Sequence, residues 1–510
     1  MIKLCEHLYY LGFICLSFSA NAQTFDGYAL YNQGNSNTAY LIDSDGDIAH
    51  IWSCDNAGNY ASALRDNGNL VRGAKDDNAP IDGPATGGLV QELDHNGDIV
   101  WEFEYSTNEV ISHHDIALMP NGNVLLIAWE TIDENDFINW GYEDDGDIYA
   151  THLIEVQQDG TGGEIVWEWH VIDHLVQDVD DTKPNYGDIS ENWQLLNINV
   201  DAGTGGGPNQ GNGPLDWLHV NGLDYNAELD QIVFTSRYLS EIFVIDHSTT
   251  TEEAASHEGG NSGMGGDFLY RWGNPDNYET AGDQIIPAAC HDSRWIQEGR
   301  PNAGWIQFFN NEGGSGGSST VDAVNAPHNG FVFDKIEGEQ FEPSSYSWRH
   351  ECIDDANGQS ASDRMTNGNV FVNLSGGFGG GGYMYEATED GDVVFQYNAD
   401  SEKGFRYECD HPGIQALLTN PCDSGTGIDE IELLNVTVFP NPSDDGQFKV
   451  IGEFGLNGLD QILVHDMFGN LVADLQNTNR IEMTAHSAGV YVATLICGGK
   501  RNSRMLTIAQ

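Results

Sequence analysis

One arrangement recurs along the chain. A stretch of alternating apolar and polar residues runs into a tight turn of acidic residues and glycine, and a second stretch rich in Val, Trp and Phe follows. It is found at Ala39-Tyr40-Leu41-Ile42-Asp43-Ser44-Asp45-Gly46-Asp47 and from Val90 to Glu102 through Asp94-His95-Asn96-Gly97-Asp98. It returns from Leu153 to Trp169, and from Tyr383 to Tyr397 through Glu389-Asp390-Gly391-Asp392. A second turn type alternates with it: Asp66-Asn67-Gly68-Asn69, Pro120-Asn121-Gly122-Asn123 and Thr366-Asn367-Gly368-Asn369. Asn-Gly and Asp-Gly supply the positive φ angles that tight hairpins need. The period of two predicts strands, and sustained helical periodicity is lacking. Many short strands joined by such turns, repeating every few tens of residues, predict an all-β fold of β-propeller type. The Asp-x-Asp-Gly-Asp turns also resemble calcium loops, but they lack the closing bidentate Glu, so hairpins are the favoured reading. The glycine-rich stretches 203–213, 313–319 and 376–382 lead into no helix and no Lys-Ser/Thr pair. They are read as connections at one propeller face rather than phosphate loops.

The two ends differ from the middle. Lys3, the apolar run Leu8 to Phe18 and Ala20-Asn21-Ala22 have the order of a secretory signal peptide over residues 1–22, with a mature start at Gln23. No later apolar segment is long enough to cross a bilayer as a helix, so the mature chain is expected to lack a transmembrane segment. The propeller is then expected over 23–420 and a linker over 421–432, through Asp423-Ser424-Gly425-Thr426-Gly427. Alternating strands over 433–510 predict a small C-terminal β-sandwich.

The formal net charge is −61, from 80 acidic against 19 basic side chains. So few cations leave little to displace the counterions of a phosphate backbone, which argues against nucleic acid as a partner. Six of the eight cysteines lie beyond the signal segment. An exported chain permits disulfides, and Cys409 with Cys422, flanking one short loop, is the favoured pair. No C-x-x-C pair stands in the sequence. Neither a metal nor a cofactor is expected.

Chemistry concentrates in a few histidine-bearing segments: His113-His114-Asp115-Ile116, Asp216-Trp217-Leu218-His219-Val220-Asn221 and Cys290-His291-Asp292-Ser293-Arg294-Trp295. With Met119 to Leu125, Glu164 to His170, Leu229 to Ile232 and Arg271-Trp272-Gly273-Asn274-Pro275, they resemble, in order, the bacterial arylsulfotransferase family. The resemblance spans roughly residues 25 to 400. It implies a six-bladed propeller that passes a sulfuryl group from an aryl sulfate to a phenolic acceptor without a nucleotide donor. That chemistry needs a neutral imidazole nucleophile, donors for the sulfonate oxygens and an aromatic pocket. His219 and His291 line up with family active-site histidines, and His114 matches a pattern common in the family. Arg237 and Arg364, rare cations in an acidic chain, are the expected sulfonate clamps. Asp292 is placed to orient a neighbouring imidazole. The tail, with Val438-Phe439-Pro440-Asn441-Pro442, His465-Asp466-Met467-Phe468-Gly469 and Gly489-Val490-Tyr491, resembles the C-terminal sorting domain of the Bacteroidetes type IX secretion system. That resemblance implies the secretion machinery as a partner and a secreted or cell-surface location.

The sequence departs from the family pattern at its centre. Where the nucleophilic histidine is expected it reads Gln359-Ser360-Ala361-Ser362-Asp363-Arg364, and Asn310-Asn311-Glu312 stands where an arginine is expected. His350 is the nearest substitute, if its loop reaches the channel. His170 and His174 form a weaker alternative as a metal-ligand pair. Two other functions stay open: a sulfoester hydrolase on the same scaffold, and a non-catalytic propeller that binds polysaccharide or another surface ligand.

Overall fold

The computed structural model describes residues 24–509, apart from Asn35, Asp82, Pro84, 202–213, Ile286, Asn357, 378–379, 423–435, 453–458, 467–470 and 498–499. The signal segment, the Asp423–Gly427 stretch of the linker and the 203–213 glycine stretch therefore lie outside the described residues. The chain divides between Cys422 and Asp423 into two compact units.

Six sheets of four antiparallel strands each build the first unit, and the third also takes the short strand Leu215–Asp216, paired parallel with Ile148–Asp159. Blade 2 (Gly58–Leu64, Leu70–Lys75, Gly88–Leu93, Ile99–Glu104) shows the plain up-and-down order. Blade 3 opens with Val110–Leu118 and closes with Gly162–His170; blade 4 opens with Val220–Asn226 and closes with Phe268–Trp272. Blade 5 runs from Cys290–Trp295 to Trp348–Glu351, and blade 6 from Ala361–Arg364 to Val393–Asn398. Blade 1 joins both ends of the unit: its innermost strand is Gly404–Glu408, paired antiparallel with Gly27–Asn32. Each innermost strand packs against the next around the ring, so the sheets enclose a central channel. The blade number is the six expected.

The repeated turns form as the pattern predicts. In the first type, Asp43 Oδ1 accepts the amides of Asp45 and Asp47 at 3.0 and 2.9 Å, with Gly46 at φ 83°. Asp94 does the same for Asn96 and Asp98. These leading carboxylates are thus committed to their own backbone, as hairpin turns require. In the second type the last asparagine reaches across its own blade to a glutamate on the third strand. Asn69 Nδ2 donates to Glu92 Oε1 at 2.7 Å, Asn369 Nδ2 to Glu386 Oε1 at 2.6 Å, and Asn123 pairs with Glu155 in the same way.

The outer-strand tryptophans tie blade to blade. Trp52 of blade 1 donates its indole N–H to Asp94 O of blade 2 (3.1 Å), and Trp101 of blade 2 to Gly162 O of blade 3 (2.7 Å). Trp169 of blade 3 reaches Gly266 O beside blade 4 (2.7 Å), and Trp272 of blade 4 reaches Pro343 O beside blade 5 (2.6 Å). Each ring fills the apolar space between two sheets while its one polar atom finds a partner, as a buried tryptophan requires.

The second unit packs two sheets face to face. Val436, Val438, Phe448, Val450 and Ile481 on one meet Ile462, Val464, Ala493, Leu495 and Leu506 on the other. This is the expected small β-sandwich. Cys409 and Cys422 form a disulfide just after the ring-closing strand, whereas Cys54, Cys290, Cys352 and Cys497 are free. Among the described residues, no helix is long and apolar enough to cross a membrane.

Candidate active site in the channel

The three histidine segments open the innermost strands of blades 3, 4 and 5, and each strand carries a bulge there. In blade 3, His113 pairs with Ile127 but Ile116 pairs with Leu126, so His114 and Asp115 loop out of the ladder. In blade 4, Val220 faces Ser236 and Gly222 faces Thr235, which leaves Asn221 extra. In blade 5 the shift falls between His291 and Arg294. A bulge re-aims side chains that a regular strand would bury between sheets. The cost is local strain: His114, His219 and Asp292 hold left-handed backbones at φ 54°, 50° and 56°, each worth roughly 1–3 kcal/mol for a non-glycine residue. Glycine is required at 222, where a Cβ would stand 2.6 Å from the Asp292 Cα. Asn221 Nδ2 donates to Cys290 O at 3.0 Å and clips the second segment to the third.

The re-aimed rings meet. The His114 and His219 centroids lie 4.8 Å apart, edge to face, with Tyr60 5.6 Å from His114 and Tyr238 4.9 Å from His219. His113, stacked on Trp129 at 4.2 Å, shares a proton with His114 between their Nδ1 atoms at 2.6 Å. His219 Nδ1 lies 2.5 Å from Asp216 Oδ2. A carboxylate can only accept, so Nδ1 carries the proton and Nε2 of the neutral ring keeps its lone pair. His291 is held differently. Its Nδ1 faces Ala289 O (2.9 Å) and Asn311 Oδ1 (2.6 Å), and its Nε2 accepts the Gln359 amide at 3.2 Å. Burial first, then the neighbouring His219 and the Arg237 guanidinium, push His291 down to about 3. His114 is likewise driven well below the ordinary histidine value, by burial first and then by His219, His113 and His291. Both are neutral at pH 7. Arg237 donates its backbone N–H to His219 O at 3.2 Å and holds its guanidinium 5.8 Å from the Tyr238 ring centre. Its Nε is buried without a hydrogen-bond partner, as is His114 Nε2.

Comparison with known proteins gives the family. The model of the arylsulfotransferase (ASST) family matches residues 17–327, more than half of the chain. The chain belongs to the arylsulfotransferase family. No curated protein matches it. Among solved structures it is similar to a luciferin-regenerating enzyme (10% identity, 76% of this chain and 98% of that one, TM-score 0.33). It is also similar to AztD from Citrobacter koseri (9% identity, 75% and 98%, TM-score 0.32) and to the Dos1 propeller (10%, 96% and 93%, TM-score 0.31). At such scores these likenesses carry no functional argument.

In this arylsulfotransferase-family propeller, His114, His219, His291 and Arg237 come together as the motifs suggest. Arg364 does not. It sits on the first strand of blade 6 with its side chain between blades, 4.0 Å over the Trp348 ring. Strand alternation turns it away, and its neighbour Asp363 faces the channel instead, accepting the Arg406 amide at 2.9 Å. The clamp role expected of Arg364 has no place in this geometry. His350 is also remote, on the outer strand of blade 5 with Nε2 2.8 Å from Tyr385 OH. His170 and His174 do not pair: His174 is buried against Asp267 Oδ1 (2.8 Å) and Ala254 O (2.8 Å).

Asp292 orients no imidazole. It accepts from Lys403 Nζ at 2.9 Å and Arg294 Nε at 3.1 Å. Lys403 also reaches Asp115 Oδ2 (2.7 Å) and Asn221 O (3.0 Å), and Arg294 reaches Asp115 Oδ2 (3.2 Å). Two anions and two cations thus cross-link the inner strands of several blades inside the channel. Burial alone would raise the Asp292 carboxyl, but Arg294 and Lys403 bring it below its usual range. A cavity of about 710 Å³ opens at the far ends of the inner strands, lined by Arg294, Trp295, Arg300, Asp363, Tyr407 and Glu408. It does not include His114, His219 or His291, so this hollow and the histidine cluster are separate features. Asp216, Asn311, Gln359 and Lys403 are site residues to which the motifs gave no role. Asp216 carried a signal, three residues before His219 in the same segment, and Asn311 and Gln359 stand in the two segments where the family pattern places an arginine and a histidine; Lys403 carried none.

Proposed function

We propose that this protein transfers a sulfuryl group from an aryl sulfate to a phenolic acceptor, with His219 Nε2 as the nucleophile in place of the histidine missing near Gln359. The observation that carries this reading is the Asp216–His219 contact. Of the three channel histidines, His219 alone combines a fixed Nδ1–H, a free Nε2 lone pair and partial exposure (11% of its side chain). The Nε2 lone pair attacks sulfur, the bond from sulfur to the aryl oxygen breaks, and the aryl oxide leaves with its electron pair. The ring becomes a cationic N-sulfo-imidazole whose Nδ1–H stays on the Asp216 carboxylate, which offsets the new charge. Arg237 Nε supplies a donor to the sulfonate oxygens. Tyr60 and Tyr238 offer aromatic faces for the aryl ring. An acceptor phenolate then attacks sulfur and frees the imidazole. His291, capped on both nitrogens, is a positioning residue.

Incubation with p-nitrophenyl sulfate, with and without phenol, tests the reading. Turnover should depend on phenol. His219→Ala should abolish it with thermal unfolding nearly unchanged, and Asp216→Asn should lower kcat by roughly 10³-fold or more by releasing the wrong tautomer. Full activity in His219→Ala would refute the assignment. Release of nitrophenol without acceptor would favour sulfoester hydrolysis, and no turnover at all would favour the ligand-binding propeller. We also propose export through the signal segment and sorting by the C-terminal sandwich, supported by the end motifs and by the Cys409–Cys422 disulfide. N-terminal sequencing of secreted protein should begin at Gln23.

A further inference from the structure

The cavity of about 710 Å³ at the far ends of the inner strands plays no part in sulfuryl transfer, yet its volume is that of a small-molecule site. Its wall carries polar groups whose bonding is incomplete. Arg294 commits Nε to Asp292 and Nη2 to Asp115 and lies 3.9 Å over the Phe405 ring, which leaves Nη1 outside both pairs. Asp224 Oδ2 accepts the Trp295 amide at 2.8 Å, and the carboxylate forms no ion pair among the described residues. Burial, against the pull of Arg294, lifts it to about 6. Asp363 Oδ2 takes the Arg406 amide, while its Oδ1 has only a long contact of 3.4 Å from Arg300 Nη1. Two further wall residues are more than nine-tenths buried and hold a polar atom with no hydrogen-bond partner: Trp295 (8% exposed) at Nε1 and Ser62 (3% exposed) at Oγ.

We propose that this cavity binds a small neutral polyhydroxylated molecule, of the class of a mono- or disaccharide. Its wall sets donors and acceptors side by side. Trp295 Nε1–H and Arg294 Nη1 can only donate, the carboxylates of Asp224 and Asp363 can only accept, and Ser62 Oγ can do either. Buried polar atoms are rarely left without partners, so the unmatched ones in the wall mark where the atoms of a ligand belong. The same groups decide the charge of that ligand. An anion would suit the donors but would face Asp224, Asp363 and Glu408; a cation would suit the carboxylates but would face Arg294 and Arg300. A hydroxyl donates and accepts at once, so several hydroxyls on one molecule satisfy both sets without bringing charge. The apolar part of the wall, with Leu64, Ile116 and Tyr407, offers surface for the C–H faces of such a molecule. None of the channel histidines stands in this wall, so the site and the sulfuryl-transfer centre take separate ligands.

The test uses the full chain and saturation-transfer difference NMR. The probes are glucose, galactose, mannose, cellobiose and maltose, with glucuronate and spermidine as charged controls. At least one neutral probe should bind saturably, with a Kd of about millimolar order. Trp295→Phe keeps an aromatic ring and removes an N–H that has no partner in the protein; Ser62→Ala removes a hydroxyl in the same position. Neither change breaks an internal hydrogen bond of a side chain, and each should weaken the sugar about threefold or more. Ser62→Ala alters the volume least, so it keeps the test valid if Trp295→Phe fails to fold. Turnover of p-nitrophenyl sulfate should be the same in both variants as in the parent chain, and a failed sulfotransferase assay leaves the sugar measurement intact. No saturable signal from any neutral probe, unchanged affinity in every variant that folds, or a preference for glucuronate or spermidine overturns the proposal.

Discussion

His219 and His291 stand in similar motifs, yet their surroundings give them different roles. His219 has one nitrogen pinned to Asp216 and the other free, whereas both nitrogens of His291 are spent. The difference has a consequence for stability. His113, His114 and His291 are depressed in the folded state, chiefly by burial. Between the unfolded value near 6.5 and the folded value, about 3 for His291, the unfolded chain holds the extra proton. Stability therefore rises with pH through that window and falls as pH drops, by about 1.4 kcal/mol per pH unit for each such group. His247, raised to about 9 by Asp230 and Glu155 against the opposing effect of burial, has the reverse sign. Its contribution is complete below pH 6.5 and is lost as pH climbs through 9, so it does not disturb the acid window. Chemical denaturation of the propeller between pH 4.5 and 6.5 should show this steep slope. His291→Gln should flatten it by about one group's share, whatever it does to stability at pH 8; an unchanged slope would show that His291 is not buried neutral. Little of this was legible beforehand. The motif named the histidines, but that Asn311 and Gln359, in the two segments that depart from the family pattern, reach His291 and cap both its nitrogens is set by the fold.

At the scale of elements the sequence was more informative. The Asn-Gly and Asp-Gly turns and the period of two yield blades, because each is a local rule repeated; their number came with the family resemblance. What the pattern does not carry is register relative to the next blade. Arg364 was placed in the channel because it is a cation next to a site segment, and alternation along Ala361–Arg364 sends it the other way. The bulges were equally hidden, since a ladder slip leaves no mark in composition. The tryptophan ties provide an element-scale prediction. Trp101→Phe keeps most of the apolar filling between blades 2 and 3 but strips the donor from Gly162 O. The loss should be about 1–2 kcal/mol in the propeller transition, read by urea unfolding. A cost below about 0.3 kcal/mol would mean that the indole N–H contributes nothing to blade contact.

The first unit is a ring closed by its last strand, and the closure brings Lys403 into the channel. In sequence Lys403 lies in an unremarkable stretch, 288 residues from Asp115. Only when Gly404–Glu408 joins Gly27–Asn32 do the two side chains meet. No local rule foresees such a contact, because it depends on six blades completing one turn. Its energetics are those of a buried ionic network. Lys403 and both of its carboxylate partners have side chains with no exposure. Desolvating these charges offsets much of their attraction, so the network is weak evidence of added stability, but removing one member leaves the others stranded. Lys403→Met should therefore cost about 3–5 kcal/mol, since Arg294 alone must then balance Asp115 and Asp292. Lys403→Met combined with Asp115→Asn should recover part of that loss, because one stranded anion is gone. Differential scanning calorimetry of the full chain separates the cases. The propeller transition should fall in the single variant and rise again in the double, while the transition of the C-terminal sandwich stays in place. If the single variant unfolds at the wild-type temperature, the cross-channel ions do not hold the ring, and closure rests on strand pairing and the Cys409–Cys422 link.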